Sequence, residues 1–209
     1  MATEDRPAGL GDGEAGGRTG RPVLSVGYPL GMSVPIESGE PSDQPYELRY
    51  GSGYLQLAEV QYQIWWLARG GRPRSDLEVA AQEQGIPQAA DVIAGLLHVE
   101  ALVELEDDPV ANAPLFERIR LIPTGIGMGN SVERPTEFKI GLPELGARIA
   151  VDLRTYDVWS GSDGRKTIAE VCREAAQQAG GVDPDHFYGQ AAVNLPILLQ
   201  EGVAYLDAL

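Results

Sequence analysis

The chain has few of the residues that build disulfides and metal sites. Its 209 residues include one cysteine, Cys172, and two histidines, His98 and His186. A single thiol cannot form an intramolecular disulfide, and so few thiolate and imidazole ligands exclude a conventional zinc site. We therefore expect no structural metal and no other cofactor.

Long apolar runs and an excess of positive charge are absent as well. No run of about 18 apolar residues occurs, and no basic segment followed by an apolar core opens the chain. We therefore expect no membrane span and no signal peptide, and we place the protein in the cytoplasm. The net charge of −15 repels nucleic acid and anionic membranes at long range, although a local basic patch remains compatible with binding.

The sequence does contain one pattern of residues twice. Tyr54–Trp65 and Arg148–Trp159 both carry a strand-like stretch, then a tyrosine, then a tryptophan three residues later. Further on, Ser75–Val79 matches Thr167–Val171, each with a glutamate three residues after the hydroxyl. A repeat of this length indicates one supersecondary unit used twice.

The sequence of each copy predicts two strands, then three helices, and then a closing hairpin in the first copy or a single closing strand in the second. The first copy is predicted to contain a hairpin of Tyr46–Tyr50 and Tyr54–Leu57, helices over about Ala58–Ala68, from Ser75 and from Pro87 to Val99, and a hairpin of Leu102–Glu106 with Phe116–Ile122. The second is predicted to contain strands Glu137–Gly141 and Ala147–Val151, helices from Asp152, Thr167 and Asp183, and a last strand Val203–Leu206.

Three helices followed by a two-stranded hairpin are typical of a winged helix. We therefore predict an α+β protein with two tandem winged-helix modules, the second with a truncated wing. The predicted divisions are a disordered tail (1–22), an extended arm (23–45), module one (46–123), a glycine-containing linker (124–136) and module two (137–209). The tail prediction depends on its six glycines and its near lack of large apolar residues.

The predicted arm alternates apolar with smaller residues from Leu24 to Ile36, which indicates an extended segment with one buried face. Pro29 and Pro35 cannot donate to a sheet ladder, so the arm is not expected to be a central strand. It either lies along a sheet edge or groove, in cis or in trans, or is an ordinary first strand followed by a loop.

No catalytic constellation is evident. Gly125–Asn130 resembles a glycine-rich nucleotide loop only superficially, because no helix is expected after it. A flexible linker explains it better, and we predict a protein that is not an enzyme.

DNA binding, the commonest function of winged helices, finds little support. The predicted third helix of module one has no Lys or Arg, none occurs between Arg74 and Arg118, and none follows Arg173. A DNA reader needs cations on such surfaces. Other candidates for partner binding form a small group near the end of the first helix, which is Trp66, Arg69, Arg72 and Arg74.

Module two resembles the peptide chaperone of pyrroloquinoline quinone biosynthesis, whose fold recurs as the RiPP recognition element. The resemblance is carried by Asp163–Arg165, Thr167–Val171 and Ile197–Val203 and covers about 60 residues. It implies that a leader peptide adds to the strand before the first helix and packs on the third helix.

Mapped onto this chain, the implied peptide site is Ala147, Arg148, Ile149, Ala150 and Val151 with His186, Gln190, Val193 and Asn194. The repeat adds a second candidate, which is Tyr54, Leu55, Gln56 and Leu57 with Asp91 and Gly95. We therefore expect a module that binds a peptide or protein, for example a precursor peptide for a biosynthetic enzyme. The alternatives are a DNA-binding regulator or its degenerate dimerising descendant, with a homodimer as one possible state, and a scaffold subunit of an enzyme complex.

Overall fold

A computed structural model describes residues 20–32 and 45–209. Residues 1–19 of the predicted tail and residues 33–44 of the predicted arm, including Pro35 and Ile36, lie outside the described residues. The described chain is a mixed α+β fold of helices and small antiparallel sheets, which confirms the predicted class. The winged-helix arrangement of those helices stays a prediction.

The elements follow one another in two similar series. The strands are β1 Pro22–Ser25, β2 Tyr28–Met32, β3 Tyr46–Tyr50, β4 Gly53–Leu57, β5 Arg72–Pro73, β6 Leu102–Glu104, β7 Ile119–Pro123, β8 Ile126–Gly129, β9 Phe138–Leu142, β10 Gly146–Val151 and β11 Ala204–Ala208. The α-helices are α1 Glu59–Leu67, α2 Arg74–Glu83, α3 Ala89–His98, α4 Ala113–Phe116, α5 Leu153–Gly161, α6 Ile168–Gln178 and α7 Asp185–Gln200. Short 3₁₀ turns cover Ala68–Gly70 and Pro109–Asn112.

Strand pairing shows that the repeat is longer than the sequence indicates. Strands β2, β3 and β4 form one sheet in that order, and β8, β9 and β10 form another in the corresponding order. Both outer strands, β2 and β8, carry a register irregularity, and in both a glycine with positive φ ends it (Gly31, φ 97°; Gly129, φ 71°). Likewise β1 pairs with β6, and β7 pairs with β11. Pairing thus groups the chain into a first half, residues 22–104, and a second half, residues 119–208.

The predicted wing of module one is wrong. Strand β6 pairs with β1 rather than with Phe116–Ile122, and the strand in that region, β7, pairs with β11 of the second half. For the same reason β11 does have a partner, although a truncated wing was predicted. Alternating runs close in sequence indicate a hairpin, but here the partners are distant along the chain.

The glycine-rich stretch 124–136 is not simply a linker, because it contains β8. Its glycines permit close approach rather than flexibility. A Cβ on Gly125 would lie 2.8 Å from the Gly141 carbonyl oxygen, and one on Gly127 would lie 2.2 Å from the Tyr156 hydroxyl. The flexible-linker interpretation of this stretch is therefore wrong.

The first part of the predicted arm is also corrected. Strand β1 lies between β5 and β6 in the centre of a sheet, so Val23 and Leu24 are both fully buried and strict alternation fails. Strand β2 does lie at a sheet edge, where Pro29 fits because an outer strand tolerates a missing donor. The described arm is therefore docked in cis as integral strands.

A hydroxyl residue with a glutamate three positions later predicts a capping box at Ser75 and at Thr167, and the second of these is confirmed. The Thr167 hydroxyl accepts a hydrogen bond from the Glu170 N–H at 3.1 Å, and the Glu170 carboxylate accepts one from the Thr167 N–H at 2.8 Å. The other is wrong, because α2 already begins at Arg74 and Glu78 forms an ion pair with that arginine at 3.2 Å. An arginine and a glutamate four residues apart on a helix attract each other, and this ion pair competes with capping.

The two halves pack on each other through a shared seam. Val26 and Leu206 form a parallel bridge, and the Leu206 carbonyl accepts a hydrogen bond from the Gly27 N–H at 2.8 Å. Leu24 and Val103 of the first half belong to the apolar cluster of the second half. Burial of such side chains stabilises the seam by about 2 kcal/mol each, so each half depends on the other.

Candidate functional site

The predicted peptide-binding strand and helix lie side by side. Strand β10 is an outer strand of its sheet, with β9 on one side only. At one end Arg148 forms an ion pair with Glu201 at 2.9 Å, just after α7. Beyond the strand, on α5, the Thr155 hydroxyl accepts a hydrogen bond from the Asn194 side-chain amide at 3.0 Å. The chain from β10 into α5 therefore runs antiparallel to α7, and we call the surface formed by β10 and α7 the β10–α7 face.

Apolar side chains on this face are open to solvent. Val193 is 65% exposed and Ile197 is 37% exposed, and their spacing of four residues puts them on one side of α7. On the strand, Ala147, Arg148 and Ala150 are exposed, Ile149 is half-buried and Val151 is buried at the base. His186 is exposed and Gln190 half-buried on preceding turns of α7.

A polar network fixes the base of the face. Asp152 caps α5 by accepting a hydrogen bond from the Thr155 N–H at 2.9 Å. The Asn194 amide N–H group, besides donating to Thr155, donates to the Gln190 carbonyl oxygen at 2.9 Å. Burial, and then the nearby charge of Asp152, raise the pKa of Asp157. Asn194 therefore holds α7 to α5, and its donors are not available to a peptide.

The first half has a corresponding surface of different chemistry. Strand β4 is also an outer strand; Tyr54 is 74% exposed and Gln56 exposed, whereas Leu55 is half-buried and Leu57 is buried like Val151. Glu100 and Gly202, both with positive φ (56° and 69°), follow α3 and α7 at equivalent points.

When the two helices are aligned at these points, Ile197 corresponds to Gly95, Val193 to Asp91 and Pro196 to Ala94. The buried Ile93 and Leu96 then match the buried Leu195 and Leu198. The surface beside β4 thus carries a carboxylate and a glycine where the β10–α7 face carries two branched apolar side chains.

The basic and aromatic candidates of the first half lie apart from both strand edges. Trp66, Arg69 and Arg72 line a cleft of about 370 Å³ whose other wall is the end of α7, at Leu199 and Gln200. Arg74 does not line it, because its guanidinium pairs with Glu78. Sequence reasoning missed the second wall, since nothing in the repeat indicates which helix meets the turn after α1.

No arrangement suited to catalysis is found among the described residues. In residues 20–32 and 45–209, no three His, Cys, Asp or Glu side chains cluster as metal ligands would. Cys172 is fully buried on α6, and burial raises the pKa of its thiol to about 12. Across the same part of the chain, none of the helices is both long and apolar enough to cross a membrane.

Comparison of the chain with protein-family models, with curated proteins and with solved structures found no match. The resemblance to the RiPP recognition element therefore depends on the residues quoted for it, and what it implies for function is a proposal.

Proposed function

We propose that the protein is a non-catalytic module that captures an extended peptide by strand addition at the β10–α7 face. The proposal depends on one observation: β10 is an outer strand and lies beside a helix on which Val193 and Ile197 are exposed. The free strand edge supplies main-chain hydrogen bonds, and the helix supplies apolar contacts for alternate side chains of the peptide.

The contacts that fix β10 and α7 support this site more strongly than the sequence alone does. Arg148–Glu201 joins the strand to the end of α7, and Thr155–Asn194 joins α7 to α5, the helix that follows the strand, so the face is preformed. A preformed site loses less conformational entropy on binding, which raises affinity for a given contact area.

The first half is the weaker candidate for the same activity. Strand β4 offers a comparable edge, but Asp91 and Gly95 stand where Val193 and Ile197 stand on α7. Replacing two half-exposed apolar contacts by a charge and a hydrogen atom removes on the order of 2 kcal/mol of apolar burial. We therefore place the main peptide site in the second half.

Selection of a random-sequence displayed peptide library against the full chain tests the proposal. Recovered peptides should protect the backbone amides of residues 146–151 from hydrogen exchange, because a new strand would occupy that edge. Ile197→Asp should weaken binding by about tenfold or more, since it places a charge in the apolar contact.

The matched control is Gly95→Asp, which adds the same side chain at the corresponding position of α3. A Cβ there meets no atom within 4 Å, so the helix accepts it, and affinity should stay unchanged. Equal losses in the two variants, or protection that spares residues 146–151, would contradict the proposal. Protection of that strand that rises with protein concentration without peptide would instead identify a homodimer edge.

A further inference from the structure

A second site, independent of the strand edges, lies where the turn after α1 meets the end of α7. We infer that the cleft between these elements binds a carboxylate group, held by Arg69 and Arg72. The cleft of about 370 Å³ is also lined by Trp66, Leu199 and Gln200, and its size suits a small acid or one acidic side chain.

The backbone sets the walls of this cleft. Helix α1 ends at Leu67, and the 3₁₀ turn Ala68–Gly70 leads to Gly71. Gly71 has a φ of +64°, a conformation that glycine adopts at little energetic cost. A Cβ on Gly71 would lie 2.5 Å from the Pro196 side chain. The two glycines of the turn thus bring the arginines against α7.

The cleft is locally positive in an acidic protein. The chain has 31 acidic against 16 basic residues, yet no Asp or Glu lines the cleft. Within the described ranges seven arginines form ion pairs, whereas Arg69 and Arg72 form none; Arg49, Arg154 and Arg165 also form none, but they do not line the cleft. Those seven are Arg21, Arg74, Arg118, Arg120, Arg134, Arg148 and Arg173. Two guanidinium groups without ion pairs therefore lie at one place, although the chain has about twice as many carboxylates as basic groups. This arrangement indicates a surface that binds an anion from outside the chain.

Arg69 is oriented without using its hydrogen-bond donors. Its Cζ lies over the Trp66 ring, 4.6 Å from the ring centroid, which makes a cation–π contact. This contact uses the charge of the guanidinium rather than its N–H donors, which lie in the guanidinium plane. Those N–H groups can bind a carboxylate with two parallel hydrogen bonds.

The opposite wall disfavours a doubly charged ligand. Leu199 and Gln200 belong to the last turn of α7, the end of the helix that carries the negative pole of its dipole. A doubly charged phosphate would meet more repulsion there than a carboxylate. The carboxylate could come from an acidic peptide side chain or from a small organic acid, and the experiment distinguishes them.

Calorimetric titration of the full chain tests the site with three probes: acetyl-tetraglutamate amide, benzoate and, as the uncharged match, acetyl-tetraglutamine amide. At low ionic strength we expect heat of binding from a carboxylate probe and none from the glutamine peptide. Binding of the glutamate peptide identifies a peptide source, and binding of benzoate alone identifies a small acid. Tryptophan emission should change with binding, because Trp66 is 49% exposed while Trp65 and Trp159 are 1% and 5% exposed.

Arg72→Gln and Arg69→Gln should each weaken binding about tenfold, as expected for loss of a charge-assisted hydrogen bond. Arg165→Gln is the matched control: it removes an exposed arginine that forms no ion pair in the described chain and lies outside the cleft, so affinity should not change. Arg72 is exposed, so Arg72→Gln should fold. The test can therefore still be made with this variant if Arg69→Gln fails to fold. The inference is overturned if neither carboxylate probe binds, if the glutamine peptide binds as tightly, or if Arg72→Gln binds like the unaltered chain.

Discussion

The carboxylate of Asp207 accepts a hydrogen bond from the backbone N–H of Gly51 at 2.7 Å, across 156 positions of sequence. Asp207 is only 3% exposed, and its second oxygen lies 3.3 Å from a guanidinium nitrogen of Arg120. The β3–β4 turn of the first half is thereby held to the last strand of the second half. One buried carboxylate thus serves both the β7–β11 sheet and the seam.

Asp207→Ala should lower the free energy of unfolding by about 3 kcal/mol, because it leaves the Arg120 charge without a counter-charge and the Gly51 donor without a partner. Urea denaturation followed by circular dichroism measures the loss. Glu117→Ala is the matched control, since Glu117 pairs with Arg173 at the surface, where ion pairs are worth about 1 kcal/mol or less. Equal losses in the two variants would refute the role given to Asp207.

Gly71→Ala should destabilise the protein more than Gly85→Ala. Both glycines have positive φ, 64° and 84°, so alanine carries a backbone cost of about 1 kcal/mol at each. Only at Gly71 would the new Cβ also overlap Pro196, while at Gly85 it meets no atom within 4 Å. Comparison of the two unfolding midpoints isolates the contact between the turn and α7. A midpoint for Gly71→Ala equal to that for Gly85→Ala would show that this contact is loose.

Stability should fall at alkaline pH partly through Cys172. Burial raises the pKa of its thiol from 9.0 to about 12, so the folded state holds the proton more tightly than the unfolded state. The contribution is fully present below about pH 9 and is lost as pH rises toward 12.

Unfolding free energies of the unaltered chain and of Cys172→Ala, measured over this range, should converge as pH rises. The thiol should also resist Ellman's reagent until the protein is denatured, because it lies in the core. Rapid labelling of the native protein would show that α6 opens readily, which its packing argues against.

The two hypotheses differ in how salt should affect affinity. Added salt weakens DNA binding steeply, whereas it does not weaken binding at an apolar peptide site in this way. Helix α3 carries no Lys or Arg, and α7 carries none either, so few phosphates could be neutralised. In gel-shift assays at low salt with duplex DNA we expect no specific complex. A complex whose affinity falls steeply with added salt would favour the regulator hypothesis, because counterion release marks phosphate contacts.

Local patterns predicted the helices and the aromatic pairs well. A spacing of three residues puts Tyr62 with Trp65, and Tyr156 with Trp159, on one face of a helix, and in both pairs the ring centroids lie 5.7 Å apart. Helix bounds are set by residues close in sequence, such as the Thr167 cap. For the candidate site, His186, Gln190 and Val193 were named by the resemblance to the RiPP recognition element and not by a local pattern.

Long-range pairing was the part that sequence could not determine. The edge of β1 meets β6 about 80 residues later, and the chemistry of the two strands does not specify that partner uniquely. The role of Asn194 was missed because its partner, Thr155, lies on another helix. The glycines of 124–136 were misinterpreted because close approach and flexibility call for the same residue.

The pairing of β1 with β6 and of β7 with β11 has a consequence for the order of folding. A chain emerging from the ribosome can form the β3–β4 hairpin and α1 at once, but the first half closes only after Glu104 is available. The seam needs Leu206, so Leu24 and Val103 stay exposed to solvent until the strand that contains Leu206 has been synthesised. Closure of such long loops is slow relative to local helix formation, and the late step is the assembly of one half on the other.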